Sequence, residues 1–401
     1  MNVLLSPITY LPMRNGVPIA TQNLARAFVK KGHQVVIVTP KLEPDHPAFE
    51  SDDGIEIHRW PFVFPWRLFW ERPREDLRQF CRQFPVDLRR LVRLITKRDV
   101  EVLGVHSVGP QLPYLLVANI LADRPLVVSL RGNELFRLNA PHDRVRRFLL
   151  RYALRRADHI TTVSSQLASE AARFCPEASD KIVTIPNGVA VDEFCAHPPF
   201  AFASKYLLSL ARLNPLKGHD VLLVAFQKVA EREKDLHLII AGDGPLRIRL
   251  QAIVLALGLR DQVTFLGEVG RERVKALLAG CEYLVLPSWN EGIPNAALEA
   301  MASGKAVVGT RVGGIPEIVS DFETGRLVPP GDPESLAEAM LFLLENRDQC
   351  TAMGERGRER VKLHHDFAKT VDRYLNVYAD ALLLAGKGWR KREGIDRVKR
   401  V

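Results

Sequence analysis

Short apolar runs alternate with helical patterns along the whole chain. In the first half, apolar runs of strand length are Val3–Ser6, Val35–Thr39, Ile55–Trp60, Val100–His106, Leu126–Leu130, His159–Val163 and Ile182–Ile185. In the second half they are Tyr206–Leu210, Leu236–Ala241, Val263–Leu266, Tyr283–Leu286 and Ala306–Gly309. Between the first two runs, Ile19, Leu24 and Phe28 recur at helical spacing up to Gly32. Continuous apolar runs are typical of strands buried on both faces, so the alternation predicts an α/β protein with parallel, doubly wound sheets.

The periodic pattern lapses between Asn187 and Pro199, where turn-forming residues cluster. A chain of 401 residues also exceeds the size at which a single hydrophobic core stops growing. We therefore expect two domains, residues 1–195 and residues 196–366, joined by this segment.

The composition is that of a globular protein, with 47% hydrophobic and 26% charged residues. No apolar run approaches the roughly 20 residues of a membrane-spanning helix. The first residues lack the basic start of a signal peptide and are typical of a strand. Five scattered cysteines without a Cys-x-x-Cys pair argue against a disulfide framework or a structural zinc site. Together these features favour a cytoplasmic location.

The strongest chemical signal is the segment 287–318, which reads PSWNEGIPNAALEAMASGKAVVGTRVGGIPEI. A helix should begin near Pro294 and end at Gly304, directly after a predicted strand. Glu291 then lies in the loop at the strand's carboxyl end, and Glu299 follows one to two turns into the helix. Ligands bind at such loops in open α/β sheets, where helix amides favour a diphosphate. Carboxylates would repel the diphosphate, so we expect them to accept hydrogen bonds from sugar hydroxyls.

This segment resembles the signature of family 4 retaining glycosyltransferases of the GT-B fold, in which a Glu, seven residues and a second Glu line the nucleotide-sugar site. The resemblance covers most of the chain, most strongly residues 205–330, and includes the interdomain-like Ile185–Val189. It implies two Rossmann-like domains facing across a cleft, an acceptor domain followed by a nucleotide-sugar domain. It also implies that a helix at about 367–385 packs back on the first domain, leaving a basic tail at 386–401.

The resemblance assigns the donor site to the second domain. Glu291 would bind hydroxyls of the donor sugar and Glu299 the ribose. Arg212 and Lys217, in the loop after the strand Tyr206–Leu210, would hold the diphosphate. The remaining donor-binding positions are Gly242 and Gly244 in a Gly-x-Gly-Pro turn, and Gly292 and Ile293 in the signature itself. Glu317, in a second glycine turn, would support the site or cap local structure.

Two places in the first domain complete the resemblance, with departures. The loop Asn15–Val17 contains Gly16, whose helix amino terminus would meet the diphosphate, but relatives usually carry two consecutive glycines where this chain has Asn15. His106, at the end of a strand, matches a family histidine near the reacting centre. Arg131 stands where relatives commonly carry His-Gly-x-Asp, so no catalytic role is transferred to it, although an arginine there would suit an anionic acceptor.

The implied activity is transfer of a sugar from a nucleotide-diphosphate sugar to an acceptor hydroxyl, with retention, in the synthesis of polysaccharide, glycolipid or another glycoconjugate. We expect no cofactor and no metal, because the second half has no compact Asp-x-Asp after a strand and Arg212 and Lys217 supply cations. Two alternatives are a catalytically silent, sugar-nucleotide-binding scaffold and a dinucleotide-dependent Rossmann enzyme. The latter is disfavoured because the first loop lacks Gly-x-Gly-x-x-Gly.

The basic charge lies mainly in the first half. Residues 1–200 hold 27 basic and 21 acidic residues, whereas residues 201–386 hold 22 and 24. From Trp60 to Arg98, aromatic residues lead into a series of arginines, which favours contact with an anionic membrane. A solvated helix face with some core aromatics explains the pattern equally well. A nucleic-acid partner is disfavoured, because no nucleic-acid-binding motif accompanies the charge.

Overall fold

The computed structural model describes residues 1–12, 16–63, 73–136, 144–195 and 197–398, with side chains except those of residues 73–76, 133, 136 and 387–398. Contacts divide the chain into two compact units. The first unit comprises Met1–Ile185 and Val371–Val401, and the second comprises Pro186–Thr370. Each unit is built on its own sheet.

The first unit contains an eight-stranded sheet. Its strands are β1 (Asn2–Pro7), β2 (Gln34–Pro40), β3 (Phe49–Asp52), β4 (Ile55–Trp60), β5 (Val102–His106), β6 (Leu126–Leu130), β7 (His159–Thr162) and β8 (Ile182–Thr184). They lie in the order β3-β4-β2-β1-β5-β6-β7-β8, and all neighbours are parallel except β3 and β4. The seven strands predicted for this half are confirmed. β3 was not predicted because its sequence, FESD, is mainly polar. Its side chains are exposed or half-buried, as is common in an edge strand.

Helices cover both faces of this sheet. They are α1 (Gly16–Lys30), α2 (Pro73–Lys97), α3 (Leu112–Ala122), α4 (Asn133–Phe136), α5 (Arg144–Arg156) and α6 (Ser165–Phe174). Of the apolar side chains that recur on α1, Leu24 and Phe28 are buried and Ile19 is half-buried. All five residues of β5 and of β6 are buried, which explains their continuous apolar sequence.

The second unit contains a six-stranded, wholly parallel sheet. Its strands are β9 (Tyr206–Leu210), β10 (His237–Ala241), β11 (Val263–Gly267), β12 (Leu284–Leu286), β13 (Val307–Thr310) and β14 (Gly325–Val328). Its helices are α7 (His219–Arg232), α8 (Arg247–Ala256), α9 (Arg271–Gly280), α10 (Asn295–Ala302), α11 (Ile315–Ile318), α12 (Pro333–Glu345) and α13 (Arg347–His364). The strand order is β11-β10-β9-β12-β13-β14, so the direction of winding reverses between β9 and β12.

The segment 187–199, which we expected to be a linker between domains, belongs to the second unit. The Asn187 side-chain amide donates to the Ile293 carbonyl oxygen at 3.0 Å, and the Val189 amide donates to the His365 carbonyl oxygen at 2.9 Å. These bonds fix the segment to the second unit, so the unit boundary lies at Ile185 instead of the expected residue 195.

The last helix, α14 (Phe367–Val398), joins the first unit from Val371 onward. Tyr378 packs edge-on against Phe28 of α1, with ring centroids 5.9 Å apart. A Cβ at Gly104 of β5 would overlap the Tyr378 hydroxyl, so this glycine makes room for the helix. The helix continues beyond the expected residue 385, into the segment expected to be a tail. Among the described residues, no helix is both long and apolar enough to cross a bilayer.

Candidate active site

The carboxyl ends of β9, β10, β12 and β13 carry the predicted donor-site residues of the second unit. Arg212 and Lys217 follow β9, Glu291 follows β12, and Glu299 lies in α10. β9 and β12 are the neighbours between which the strand order reverses. Such a switch point leaves a crevice at the sheet edge, which is the usual ligand position in an open α/β sheet.

Glycines let these loops pack backbone against backbone. A Cβ at Gly218 would overlap the Pro287 carbonyl oxygen, and a Cβ at Gly313 would overlap the Glu291 carbonyl oxygen. The Gly314 amide donates to the Gly292 carbonyl oxygen at 2.8 Å. The predicted glycine turns therefore hold the site loops against one another.

Gly242 and Gly244, which follow β10, also allow the backbones of two loops to pack closely. A Cβ at either position would overlap a carbonyl oxygen of the β9 loop, that of Ala211 or that of Leu213. Gly242 also has a φ of +140°, which side-chain-bearing residues rarely adopt. Packing alone accounts for both glycines, and their contact with a nucleotide stays a prediction.

Glu291 is paired with Lys217. The lysine Nζ lies 2.5 Å from Glu291 Oε1, and the Ser288 hydroxyl donates to the same oxygen at 2.9 Å. The carboxylate is 9% exposed and the lysine 22% exposed. A charge-assisted bond of this kind fixes the carboxylate in the loop and places a cation beside it. The sequence assigned these two residues to different parts of the donor, whereas the structure brings them into direct contact.

Arg212 lies on the same loop as Lys217 but has an exposed side chain. Within the described part of the chain, its guanidinium makes no hydrogen bond or ion pair. The guanidinium has five N–H donors and belongs to a loop at the switch point. These donors suit a phosphate group.

Glu299 is a partly exposed carboxyl in α10, and burial raises its pKa to about 7. The nearby Arg271 guanidinium opposes this shift and Glu193 reinforces it. Arg271 and Glu193 form an ion pair of their own, with N and O atoms 2.8 Å apart. A carboxylate that has lost water without gaining a cation is suited to accept hydrogen bonds from ligand hydroxyls.

The amino end of α10 lacks a side-chain cap. Pro294 is the N-cap residue of this helix, one position before the first helical residue, and provides no side-chain cap. Ile293 is buried, and its carbonyl oxygen accepts the Asn187 amide. Since an uncapped helix start favours an anion, α10 is suitable for the diphosphate.

Glu317 lies in the short helix α11, after the Gly313–Gly314 turn, and its carbonyl oxygen accepts a hydrogen bond from Arg360 at 3.0 Å. Gly16 begins α1 of the first unit, and a Cβ there would meet no atom of the described residues within 4 Å. Packing against the described residues therefore does not require a glycine at this position. Asn15 lies outside the described residues.

His106 and Arg131, at the ends of β5 and β6, are in contact. Arg131 donates to His106 Nδ1 at 2.9 Å, and His106 Nε2 lies 3.0 Å from the Tyr378 hydroxyl. Because arginine only donates, the histidine proton sits on Nε2 and points to Tyr378. Burial, with the Arg131 charge, lowers the pKa of His106 well below its usual value.

His106 is fully buried, and both ring nitrogens are occupied within the first unit. The Arg131 guanidinium also lies over the Tyr374 ring, 5.7 Å from its centroid. The contacts of His106 therefore hold Arg131 and α14 in place. Its expected position near the reacting centre, in contact with the sugar or the acceptor, stays a prediction.

Among the described residues, no group of three or more His, Cys, Asp or Glu side chains is arranged to hold a metal ion. Of the predicted polar residues, Lys217 and Glu291 are in contact, Arg212 lies on the same loop as Lys217, and Glu299 lies in the helix that follows Glu291. This set can bind hydroxyls and an anionic group together.

Comparison with known proteins agrees with this site. A family model described as glycosyl transferases group 1 matches residues 197–360, and one described as a glycosyl transferase 4-like domain matches residues 15–188. The chain is 31% identical over 293 residues to a GDP-mannose-dependent alpha-(1-6)-phosphatidylinositol monomannoside mannosyltransferase of Mycobacterium tuberculosis, covering 69% of this chain and 74% of that protein. The chain belongs to family 4 of the glycosyltransferases.

Two further similarities span nearly the whole transferase. It is 27% identical to an N-acetyl-alpha-D-glucosaminyl L-malate synthase of Bacillus anthracis, covering 94% of this chain and 96% of that protein. A sucrose-phosphate synthase structure from Thermosynechococcus elongatus matches with a TM-score of 0.80 at 21% identity, covering 96% of this chain and 99% of that one. The fold is GT-B, with two Rossmann-like units.

Several residues of the transferase's site region were missed from the sequence. Asn187 ties the segment after the first unit to Ile293, and Ser288 binds Glu291. Tyr374 and Tyr378 hold the His106–Arg131 pair from α14. Asparagine, serine and tyrosine occur in many structural roles, so only their position in a folded chain identifies them. The spacing of the two tyrosines by four residues, on one face of a predicted helix, was the available signal.

The Tyr378 contact predicts a measurable contribution to stability. Tyr378→Phe should lower the free energy of unfolding by about 1–3 kcal/mol, because it leaves the buried His106 N–H without an acceptor. The matched control is Tyr374→Phe, whose buried hydroxyl has no hydrogen-bond partner among the described residues. Chemical denaturation would measure both variants. Equal stability of the two would contradict the proposed hydrogen bond.

Proposed function

We propose that this transferase moves a sugar from a nucleotide-diphosphate sugar to an acceptor hydroxyl, with retention of the anomeric configuration and without a metal ion. The observation that carries the proposal is the pairing of Lys217 with Glu291 at the switch point of the second sheet. It combines a cation for a diphosphate with a carboxylate for sugar hydroxyls in one place. The name of the mycobacterial relative, which includes GDP-mannose, supports a donor of this class.

The leaving diphosphate gains negative charge in the transition state. Arg212, which is exposed and unpaired within the described residues, and Lys217 would stabilise that charge together with the uncapped start of α10. Preorganised cations and amides of this kind supply a large part of the catalysis in such sites. No metal is needed if these groups neutralise the charge.

The two glutamates have different tasks in this proposal. Glu291, fixed by Lys217 and Ser288, would accept hydrogen bonds from the donor sugar. Glu299, whose pKa burial raises to about 7, would accept them from the ribose. The departing phosphate would take the proton of the acceptor hydroxyl, on the face from which it leaves, which retains the configuration.

The acceptor we propose is a glycan, a lipid-linked sugar or another hydroxyl compound, and we include contact with an anionic membrane. The names of two relatives describe acceptors that carry negative charge, L-malate in one and a phosphatidylinositol mannoside in the other. The basic excess of residues 1–200 suits such an acceptor.

Thermal unfolding with a panel of UDP-, GDP-, ADP- and TDP-sugars tests the donor. One of them should raise the melting temperature selectively, since a ligand at 100 times its dissociation constant stabilises the fold by about 2.7 kcal/mol. The shift should persist with a chelator. A shift from a nicotinamide cofactor alone would contradict the proposal, and donor binding without consumption of the donor would identify a scaffold.

A further inference from the structure

One face of the sheet of the first unit is covered by several helices, which include α2, α3 and α5. The right-handed connections β4-α2-β5, β5-α3-β6 and β6-α5-β7 all progress in the same direction across the strand order, so α2, α3 and α5 lie on the same side. Phe84 of α2 packs on Tyr114 of α3, with ring centroids 4.6 Å apart. Arg156 of α5 donates to Asn119 of α3 at 3.0 Å. We call their outer surface the α2–α3–α5 face.

This face is strongly basic. Helix α5 contains six arginines and no acidic residue, and five of the arginines are exposed. From Leu77 to Lys97, α2 contains six basic residues, all exposed, and a single acidic one. That residue, Asp87, has no exposed side-chain surface and accepts hydrogen bonds from Gln83 and Arg90. On α5, Arg151 is paired with Glu177, whose carboxylate oxygen lies 2.5 Å from the guanidinium. The outer surface of these two helix segments still carries an excess of exposed cations over exposed carboxylates.

Large apolar side chains are exposed among these cations. Leu121 at the end of α3 is 62% exposed and its neighbour Ile120 is 52% exposed. On α5, Phe148 is 68% exposed and stacks with Tyr152, which is 42% exposed. Several exposed apolar side chains on adjacent helices indicate an interaction surface.

A groove of about 370 Å³ lies between α2 and the end of α3. It is lined by Pro85, Leu88, Arg89, Val92, Arg93 and Leu121. Four of these six residues are apolar, and the two arginines provide its charge. The groove combines an apolar surface with cations, as an amphiphile with an anionic head requires.

We propose that the α2–α3–α5 face docks on an anionic lipid bilayer. Leu121 and Phe148 enter the boundary between headgroups and acyl chains, and the surrounding arginines bind lipid phosphates. This inference deepens the proposed function and rests on it for the use of a lipid-linked acceptor.

The sequence pattern from Trp60 to Arg98 also led us to expect aromatic residues on this surface, but not all of them contribute to it. Phe62 is buried and packs on Tyr114, and residues 64–72 lie outside the described residues.

A second copy of the chain fits this face less well than a bilayer. A two-fold symmetric dimer would place the same arginine-rich surface against itself, and like charges repel. The apolar side chains are also spread among cations, whereas interface cores are depleted of charged residues. An anionic bilayer neutralises the cations and accepts the separate apolar side chains at the same time.

Cosedimentation of the full chain with lipid vesicles tests the proposal. Wild-type protein should bind vesicles that contain phosphatidylglycerol, bind phosphatidylcholine vesicles much less, and lose binding as salt increases. The double variant Arg89→Gln/Arg93→Gln should weaken binding roughly 30-fold, about fivefold for each cation near the surface. Leu121→Gln should also weaken binding, by removing an inserted side chain.

The second unit offers matched controls. Leu255 is 62% exposed, as Leu121 is, so Leu255→Gln should leave vesicle binding unchanged. The exposed Arg249 and Arg260 provide Arg249→Gln/Arg260→Gln as the charge control. All four variants should keep the thermal shift with the sugar nucleotide, so failure of donor binding is separable from failure of docking. Absence of vesicle binding, equal loss in the controls, or a dimer that Leu121→Gln dissociates would overturn the proposal.

Discussion

Replacing Lys217 by alanine should lower the transfer rate by about 100-fold or more, the scale of losing one strong contact to the leaving group. Lys217 holds Glu291 through a contact of 2.5 Å, yet 22% of its side chain remains exposed. We therefore expect the ammonium to bind the diphosphate while it stays beside the carboxylate. Initial rates of donor consumption, measured at several donor concentrations, would report the loss.

A nucleoside diphosphate without sugar separates two roles for Lys217. If the lysine binds the diphosphate, Lys217→Ala should weaken binding of the nucleoside diphosphate, measured by calorimetry. Glu291→Gln should not weaken it, because the ligand lacks the sugar that Glu291 binds. If the lysine only positions Glu291, neither substitution would change the affinity, and the diphosphate role would be wrong.

Lys228 is the matched control for Lys217. It forms an ion pair with Glu334 in the same unit, but its side chain is 39% exposed and that of Glu334 is 68% exposed. Exposed pairs contribute about 0–1 kcal/mol, so Lys228→Ala should change neither stability nor transfer to a notable degree. A comparable loss of rate in this variant would show that the effect of Lys217→Ala is not specific to the site.

The fold was predictable where burial dictates sequence. Ten of the twelve predicted strands lie inside their sheets, and the other two, β8 and β11, are edge strands that still contain an apolar run. The two strands that were missed, β3 and β14, lie at the edges of their sheets. β14 is only four residues long and begins with Gly325 and Arg326, so it lacks the apolar run that reveals a central strand.

The site was predictable in its parts but not in its contacts. Prolines and glycines correctly placed Glu291 in a loop and Glu299 in a helix, because these residues act locally on the backbone. The pairing of Lys217 with Glu291 joins positions 74 residues apart. The contact of His106 with Tyr378 spans 272 residues. Such contacts depend on strand order, which the sequence of one chain does not determine.

Replacing Glu299 by glutamine should stabilise the free protein at pH 8 while it weakens donor binding. Burial raises the pKa of Glu299 to about 7, above the 4.5 of an ordinary glutamate. Between these two pH values the folded chain retains a proton that the unfolded chain releases, so stability falls as pH rises. Above pH 7 the full cost is present. Complete burial would make this cost about 3 kcal/mol, and because Glu299 is partly exposed we expect about 1–2 kcal/mol.

The test is denaturation of wild type and Glu299→Gln between pH 4.5 and 8.5, with and without the sugar nucleotide. The variant should gain stability over wild type as pH rises through this range, and the two should converge near pH 4.5. Donor stabilisation should increase with pH in wild type, because the charged carboxylate accepts hydroxyl hydrogen bonds more strongly. In the variant it should be smaller and independent of pH.

Glu338→Gln, at an exposed position of α12, controls for the loss of one negative charge. It should reproduce neither effect. A Glu299→Gln variant that is less stable than wild type at pH 8 would mean that the carboxylate makes favourable contacts in the free protein. If that variant binds the donor as tightly as wild type does, the assignment of Glu299 to the nucleotide site is wrong. Higher stability together with weaker donor binding in Glu299→Gln would show that the carboxylate destabilises the free protein but is required for ligand binding.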